Sequence, residues 1–424
     1  MKATFCLSAV VALAGTANAQ VSALAVLLEG QLIDGSEVTG VGGPKVNGNN
    51  EVGSLATLAD GTRAITLDGV SIFNSGNVLS NALTGGETTI GIGNFGQFIY
   101  SPSVDGSDAV WGQDGLILIE NTPAPDFDPS INSTFHSRPR MTDDGTAYWV
   151  SGFNDGAGGT SSVGRMLYKR DGFSGAITTV IRAGDIVDGV EVDDFGGIDF
   201  DYEFSSNNLN SILGFNDANT GSTANDTVLA VNGTIVAREA SANGDGDNWD
   251  NFNDVSINNA GNYVFTGDTD GATTSDNFLA YNGSIVLREG DTVDGLALGV
   301  FDNVTINNNN EVAFITDGDD GVTDVETLFY AADGADLGSS VALLRVGDVV
   351  DLGVDGQWIL DDFNAVNTGE IALGTDGFVS IEVDLESFDG LTNIEGIISV
   401  AVPAPGAAGA LALAGLAAAR RRRA

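Results

Sequence analysis

VSINNAGNYVFTGDTDGATTSDNFLAYNGSIVLREGDTVDG, residues 255–295, decides the fold. Apolar residues alternate with polar ones at Val255, Ile257, Tyr263 and Phe265, on either side of the Asn-rich tip Asn258-Asn259-Ala260-Gly261-Asn262. A period of two puts those side chains on one face of an extended chain, so the stretch predicts a β-hairpin. Further on, Asn282-Gly283 separates two more apolar stretches. Asn-Gly favours a type I′ turn, whose two central residues take positive φ and whose twist matches that of the strands, which predicts a second hairpin. The segment closes on Leu287-Arg288-Glu289-Gly290-Asp291-Thr292-Val293-Asp294-Gly295.

The same unit recurs along the chain. IRAGDIVDG from Ile181 and LRVGDVVDLG from Leu344 match the closing segment, and LLEGQLIDG from Leu27 is a degenerate relative. The Asn-rich tip recurs in VTINNNNEVAF from Val304, with weaker copies near Val46, Val104, Met141, Phe204 and Val366. Between them lie turn pairs at Asp68-Gly69, Asp114-Gly115, Asp171-Gly172, Asn232-Gly233, Asp333-Gly334 and Asp376-Gly377. Two hairpins, hence four short antiparallel strands, in each unit of roughly 40 to 60 residues are the pattern of a β-propeller blade. A single sheet cannot bury both faces, whereas a closed ring packs every sheet between two others.

The fold expected is therefore all-β, a single β-propeller of about seven four-stranded blades, with six or eight blades, a β-solenoid or paired β-sandwiches as alternatives. The last unit, from Glu370 to Asp384, is one strand short. A strand at residues 25–29 would complete it and close the ring. Trp111, Trp149 and Phe265 follow the tips and are expected in the layers between blades.

Both ends differ from this body. Lys2 precedes an apolar run, and Ala17, Ala19 and Gln20 form a signal-peptidase site, which predicts a signal peptide at residues 1–19. The sole cysteine, Cys6, lies inside it, so no disulfide is available to the mature chain. The repeat body is expected at residues 20–390 and a linker at residues 391–401. At the other end Val402, Pro403, Ala404 and Pro405 precede an apolar stretch and then Arg420, Arg421, Arg422 and Arg423. The stretch 406–419 would span only ~21 Å as a helix against a hydrocarbon core of ~30 Å, which suits a transient anchor better than a permanent transmembrane helix. The arginines would hold its end on the cytoplasmic side.

Residues 402–424 resemble the PEP-CTERM sorting signal of Gram-negative bacteria, with Ala404 standing where that motif has glutamate. The resemblance implies processing by signal peptidase and an exosortase-like transpeptidase, transient membrane insertion, and a final location in the cell envelope or outside the cell. The repeats are similar to an uncharacterised family of bacterial exported tandem-repeat proteins with REGD and N-x-x-G-x-V-x-F segments, a resemblance that brings no catalytic residues.

Formal net charge is −43, which makes nucleic acid and anionic membrane surfaces poor partners and favours cations and cation-bridged polysaccharides. The hydrophobic fraction of 42% separates the chain from disordered acidic proteins. Arg182, Arg288 and Arg345 are each followed three residues later by Asp185, Asp291 and Asp348, a recurrence expected of structural ion pairs or turn-capping carboxylates. The best calcium candidate is the loop bearing Asn243, Asp245, Asp247 and Asp254, whose spacing follows loop positions 1, 3, 5 and 12 of an EF-hand without flanking helices. His136 is the single histidine, so any Ser-His-Asp triad would have to use it, and no carboxylate pair stands out for glycoside hydrolysis. No catalytic residue and no cofactor beyond possible calcium is expected. The sequence reads best as a non-enzymatic surface or extracellular-matrix protein that binds polysaccharide, with a carbohydrate-active enzyme as the alternative.

Overall fold

The computed structural model describes residues 20–403 apart from 78–82, 85–88, 157–161, 173, 196–201, 221–222, 224, 320, 322–323 and 365–370. Residues 1–19, where a signal peptide is expected, and the tail from Ala404 onward, with Pro405 and the four arginines, lie outside the described residues. Among those described, no helix is long and apolar enough to cross a membrane.

The described strands fall into seven sheets. Six are each drawn from one continuous stretch of chain, residues 32–74, 83–119, 133–182, 186–238, 249–288 and 292–345, and are numbered here in that order. The seventh combines strands of residues 349–401 with the N-terminal strand Gln20–Leu28. Sheet 5 shows the plan most simply, as an antiparallel meander of Trp249–Ile257, Tyr263–Thr269, Asn277–Tyr281 and Ser284–Arg288. Its two middle strands are buried on both faces, while its outer strand alternates between exposed and covered positions. Continuous apolar stretches such as Tyr263-Val264-Phe265 and Phe278-Leu279-Ala280 supply both faces at once.

Seven apolar clusters fill the spaces between successive sheets. Leu55 and Ile65 of sheet 1 meet Phe98 and Trp111 of sheet 2, and Val110 of sheet 2 meets Trp149 and Tyr168 of sheet 3. The series continues through Tyr148 with Phe215, Leu229 with Trp249, Leu279 with Phe314, and Leu328 with Val383. It ends with Leu27 and Ile397 of sheet 7 against Ala56 and Leu58 of sheet 1. Full burial of side chains of this size contributes about 2 kcal/mol each, so these layers are the main source of stability. Successive, mainly antiparallel sheets of four to six strands, packed face to face through shared apolar clusters, are the arrangement of a β-propeller.

Trp149 and Phe265 are fully buried and Trp111 is nearly so, all within inter-sheet clusters. The N-terminal strand runs over Gln20–Leu28, longer than the expected 25–29, and pairs antiparallel with Asn393–Ala401 (Leu24 opposite Ser399) and parallel with Val349–Asp351.

Four expectations are corrected. Residues 391–401 do not form a linker: Asn393–Ala401 is a strand wedged between Gln20–Leu28 and Phe378–Glu386, and its run of Ile397, Ile398 and Val400 is apolar because both faces are covered. In sheet 2 the inner hairpin is not the copy near Val104 but Ile90–Ile92 with Phe98–Tyr100, whose tip is the unremarked Gly93-Asn94-Phe95-Gly96-Gln97. Asp376-Gly377 forms the inner tip of sheet 7 rather than an outer turn, and the copy assigned at residues 366–370 lies outside the described residues. Asp333-Gly334 is no two-residue hairpin turn. Asp333 sits at φ −152° and caps the short 3₁₀ turn Gly334–Ser339 by accepting from Ala335 N–H. By contrast Asp68, Asn232 and Asn282 take positive φ and are followed by glycines that do too, as type I′ turns require.

Candidate functional site

The innermost strands of all seven sheets line one cavity of about 370 Å³, reached by Lys45 to Asn50, Ile90 to Ile92, Arg140 to Asp143, Glu203 to Ser206, Asp254 to Asn259, Val304 to Asn308 and Ile371 to Thr375. At equivalent places in sheets 1, 3, 5 and 6 the inner strand shifts register, between Gly42 and Lys45, Ser137 and Arg140, Phe252 and Val255, and Phe301 and Val304. Such bulges bend the strand and re-aim the side chains beside them. Pro44 and Pro139 occupy two of them, positions where a missing N–H costs no ladder hydrogen bond.

Charged side chains enter the cavity wall from these bulges. Arg140 is almost wholly buried, with its Nε 3.4 Å from Glu203 Oε2 and its guanidinium 5.9 Å from the Tyr202 ring centre. Asp254 accepts from the backbone N–H of Val255 at 2.9 Å and of Val304, on the next sheet, at 2.8 Å.

At one end of the cavity the inner hairpin tips are joined in a ring. Asn49 N–H donates to Asn94 Oδ1 (3.1 Å), Asn94 N–H to the Asp143 carbonyl (3.1 Å) and Asp143 N–H to the Ser206 carbonyl (2.9 Å). Asn207 N–H then donates to Asn259 Oδ1 (2.8 Å), and Asn259 N–H to Asn308 Oδ1 (2.9 Å). Asn309 Nδ2 reaches the Thr375 carbonyl (3.3 Å), and Thr375 N–H returns to Asn50 Oδ1 (2.8 Å). Two further bonds skip a sheet, from Gly48 N–H to Asp143 Oδ1 (2.6 Å) and from Asn308 Nδ2 to Ser206 Oγ (3.2 Å), and narrow this end.

The first residue of each tip explains why asparagine recurs there. In Asn47, Asn258 and Asn307 the side-chain Oδ1 accepts from the backbone N–H groups two and four residues on, all at 3.0 Å. The same amide donates Nδ2 to the next sheet, at Gly93, Asn307 and Gly374 carbonyls respectively. Only an amide combines that acceptor with that donor at this length.

Outside the cavity lining, several carboxylates are shifted toward their protonated form. Glu326 is pushed up to about 8, chiefly by burial and by its hydrogen bond to Asp362 on sheet 7, and Asp302 to about 6 by burial and the charge of Asp317. Asp226 and Glu239, and Asp268 and Glu289, are likewise raised, by burial first and then by carboxylate neighbours. The feature thus repeats across sheets 4, 5 and 6.

The REGD aspartates cap turns. Asp185, Asp291 and Asp348 accept from the backbone N–H of Arg182, Arg288 and Arg345 at 3.0, 2.8 and 2.9 Å. Arg182 also sits 3.7 Å from Asp185. Arg288 instead turns to the candidate calcium loop, where it pairs with Asp245 (3.0 Å) and Asp247 (3.1 Å). The structure does not gather the four expected ligands. Asn243 accepts from Asp245 N–H, the two loop aspartates face a guanidinium, and Asp254 is buried on the inner strand with two backbone donors. Among the described residues no group of three or more Asp, Glu, His or Cys side chains is arranged to hold a metal ion.

His136 makes a Ser-His contact, Nδ1 to Ser151 Oγ at 2.5 Å, but both residues are buried between strands and burial holds the imidazole down at about 3. The pair cannot reach a substrate in this arrangement. The arginines clustered in sheet 3 have internal partners: Arg182 lies over Phe127 at 4.8 Å and Arg165 over Phe135 at 5.8 Å. Val402, the first residue of the expected sorting motif, hydrogen-bonds the Gly377 carbonyl through its N–H (2.9 Å).

No protein-family model matches the chain, and no curated protein matches it. Solved structures do. The WD40 β-propeller domain of Doa1 is 10% identical with a TM-score of 0.36, over 89% of this chain and 97% of that one. A polysaccharide lyase of family PL25, an ulvan lyase, is 12% identical with a TM-score of 0.37, over 88% and 96%. A prolyl endopeptidase is 12% identical with a TM-score of 0.43 over 88% of this chain, which spans about half of that protein's length (47%). Enzymes and non-enzymes thus stand side by side, and the propeller class rests on this chain's own sheet topology.

Proposed function

We propose that the protein is an exported β-propeller of seven blades, closed by the N-terminal strand, that binds envelope or extracellular polysaccharide without transforming it. The observation that carries this reading is the ring of hairpin tips at one cavity mouth, which sets amide and carboxylate groups of Asn49, Asp143, Asn259, Asn308 and Asn309 around a common axis. Hydroxyl-rich chains are recognised by such fixed donors and acceptors, and propeller function normally gathers where loops converge. Cluster closure from Leu27 and Ile397 onto Ala56 and Leu58 supports the seven-blade ring.

Delivery follows from the ends of the chain: export through the signal segment, then sorting through residues 402–424 by an exosortase-like transpeptidase, leaving the protein in the envelope or outside the cell. Truncation before Val402 followed by cell fractionation tests this, and unchanged localisation refutes it. Binding is tested by retention of purified protein on immobilised cellulose, soluble β-glucan, mannan and alginate, with calcium and with chelator. Indifference to all of them overturns the proposal; dependence on calcium would place the cation in the bound complex.

The enzyme reading draws on one observation, the raised Glu326 beside Asp362, since an acid that keeps its proton near neutral pH is what glycoside cleavage requires. Recurrence of raised carboxylates in sheets 4 and 5 favours a feature of the repeat instead. Release of reducing ends by wild type and its loss in Glu326→Gln would reverse that preference.

A further inference from the structure

We propose that the tip Asn94-Phe95-Gly96 is a stacking platform for a sugar ring of a neutral polysaccharide; this rests on the polysaccharide-binding reading above and assigns its contact.

The inner tips repeat one design, and sheet 2 departs from it in chemistry and in backbone. The place held by Phe95 is held by Asn49, Asp144, Ala260, Asn309 and Asp376 in sheets 1, 3, 5, 6 and 7. Each of those is followed by a residue at positive φ (Asn50, Gly145, Gly261, Asn310, Gly377), as Phe95 is followed by Gly96, yet none takes positive φ itself. Phe95 does, at 144°, where a side chain with a Cβ is strained. It is also 85% exposed, so neither core packing nor burial accounts for it. Strained residues persist where the surroundings hold them, and they concentrate at ligand contacts.

The surroundings here do hold it. Asn94 is tied to sheet 1 by Asn49 N–H and to sheet 3 by the Asp143 carbonyl, both at 3.1 Å, and Gly93 N–H closes the tip on the Gln97 carbonyl at 2.9 Å. The backbone that carries Phe95 is thereby anchored next to Asn49 and Asp143. A sugar offers an apolar C–H face and a rim of hydroxyls, so a rigid aromatic face flanked by amides and carboxylates matches both. A second exposed apolar side chain, Leu209 (77%), stands on the tip of sheet 4. Without a bridging cation the charge of −43 repels polyanionic glycans, which favours neutral ones.

The test uses the purified full chain with immobilised cellulose, soluble β-glucan and mannan as neutral probes and alginate as the anionic one. Wild type is expected to be retained on at least one neutral probe, Phe95→Asn to lose at least ten-fold in affinity, and Phe95→Trp to retain binding with a fluorescence change on adding that probe. Phe95→Asn should melt like wild type, because the exposed ring belongs to no apolar cluster and both residues carry a Cβ at this φ, so its loss of binding reads the contact and not the fold. Equal binding by wild type and Phe95→Asn overturns the platform while leaving the polysaccharide reading intact. Retention on alginate alone overturns the neutral class, and retention on nothing overturns both.

Discussion

Asn258 closes its own turn with Oδ1 and, through Nδ2, holds the carbonyl of Asn307 on the next sheet at 3.1 Å. Asn307 repeats the arrangement toward Gly374 at 2.8 Å, so one amide sets a local turn and joins two sheets. Asn307→Ala would strand buried backbone groups on both sides and is expected to cost about 3 kcal/mol, since each unsatisfied buried group costs about 1–3 kcal/mol. Asn307→Asp keeps the acceptor, loses the donor and faces Glu311, so it should destabilise as well. Urea unfolding measures both, and a loss below about 1 kcal/mol for Asn307→Ala would show the ring to be unimportant.

The seat of the N-terminal strand can be weighed by comparing two glycines in equivalent turns. Gly69 has φ +74° and a Cβ there would run into the Val26 carbonyl oxygen of the N-terminal strand, whereas Gly233 has φ +77° and nothing within 4 Å. Gly233→Ala should therefore cost only the strain of its backbone, about 1 kcal/mol. Gly69→Ala should cost clearly more, because it also displaces Gln20–Leu28 from its seat. Equal melting temperatures for the two variants would mean that the turn does not bear on that strand.

Stability should fall as pH rises from about 5 to 8. Glu326 and Asp302 have folded pKa values raised to about 8 and about 6, so their protonated forms favour the folded state, fully below the unfolded carboxylate range and no longer above the folded values. Overall acidity gives a slope of the same sign, so the diagnostic is the variant. Glu326→Gln should flatten the melting temperature against pH between 6 and 8; an unchanged slope would place the titration elsewhere. Below pH about 6 the sign reverses for His136, whose folded pKa is depressed to about 3, because the unfolded chain takes up the proton first.

Each REGD aspartate should contribute separately. Asp185→Ala, Asp291→Ala and Asp348→Ala each remove one acceptor from an Arg backbone N–H and should cost about 1 kcal/mol. Because the three lie on different sheets, the triple variant should lose about the sum. A marked excess over the sum in chemical denaturation would reveal coupling around the ring.

Much of this was legible along the chain. Period-two alternation around Asn258–Asn262 and Asn282-Gly283 is a local signal, and the hairpins of sheet 5 form where it places them. The signal failed where the local unit was irregular. In sheet 2, Gly93 to Gln97 lacks the Asn-rich pattern that Val104 partly mimics, and in sheet 7 only Gly374 and Thr375 separate a three-residue inner strand from Asp376-Gly377. The stretch 391–401 looked like a linker because two-sided burial erases alternation. Phe95 differs from the equivalent residues of sheets 1, 3, 5, 6 and 7 in backbone conformation and exposure, which no pattern in the chain reports.

The sequence alone determined the strand content, the two-hairpin repeat and the acidity, because these follow from periodicity, turn chemistry and composition, all local or additive properties. Tertiary structure alone decided which groups share a place: that Asp245 and Asp247 meet Arg288 and not Asp254, that Glu326 shares a hydrogen bond with Asp362, and that Ser151 seals His136. Those contacts join residues 15 to 43 positions apart through sheet register and inter-sheet packing. Neither is written in any window of the chain that a local pattern can span.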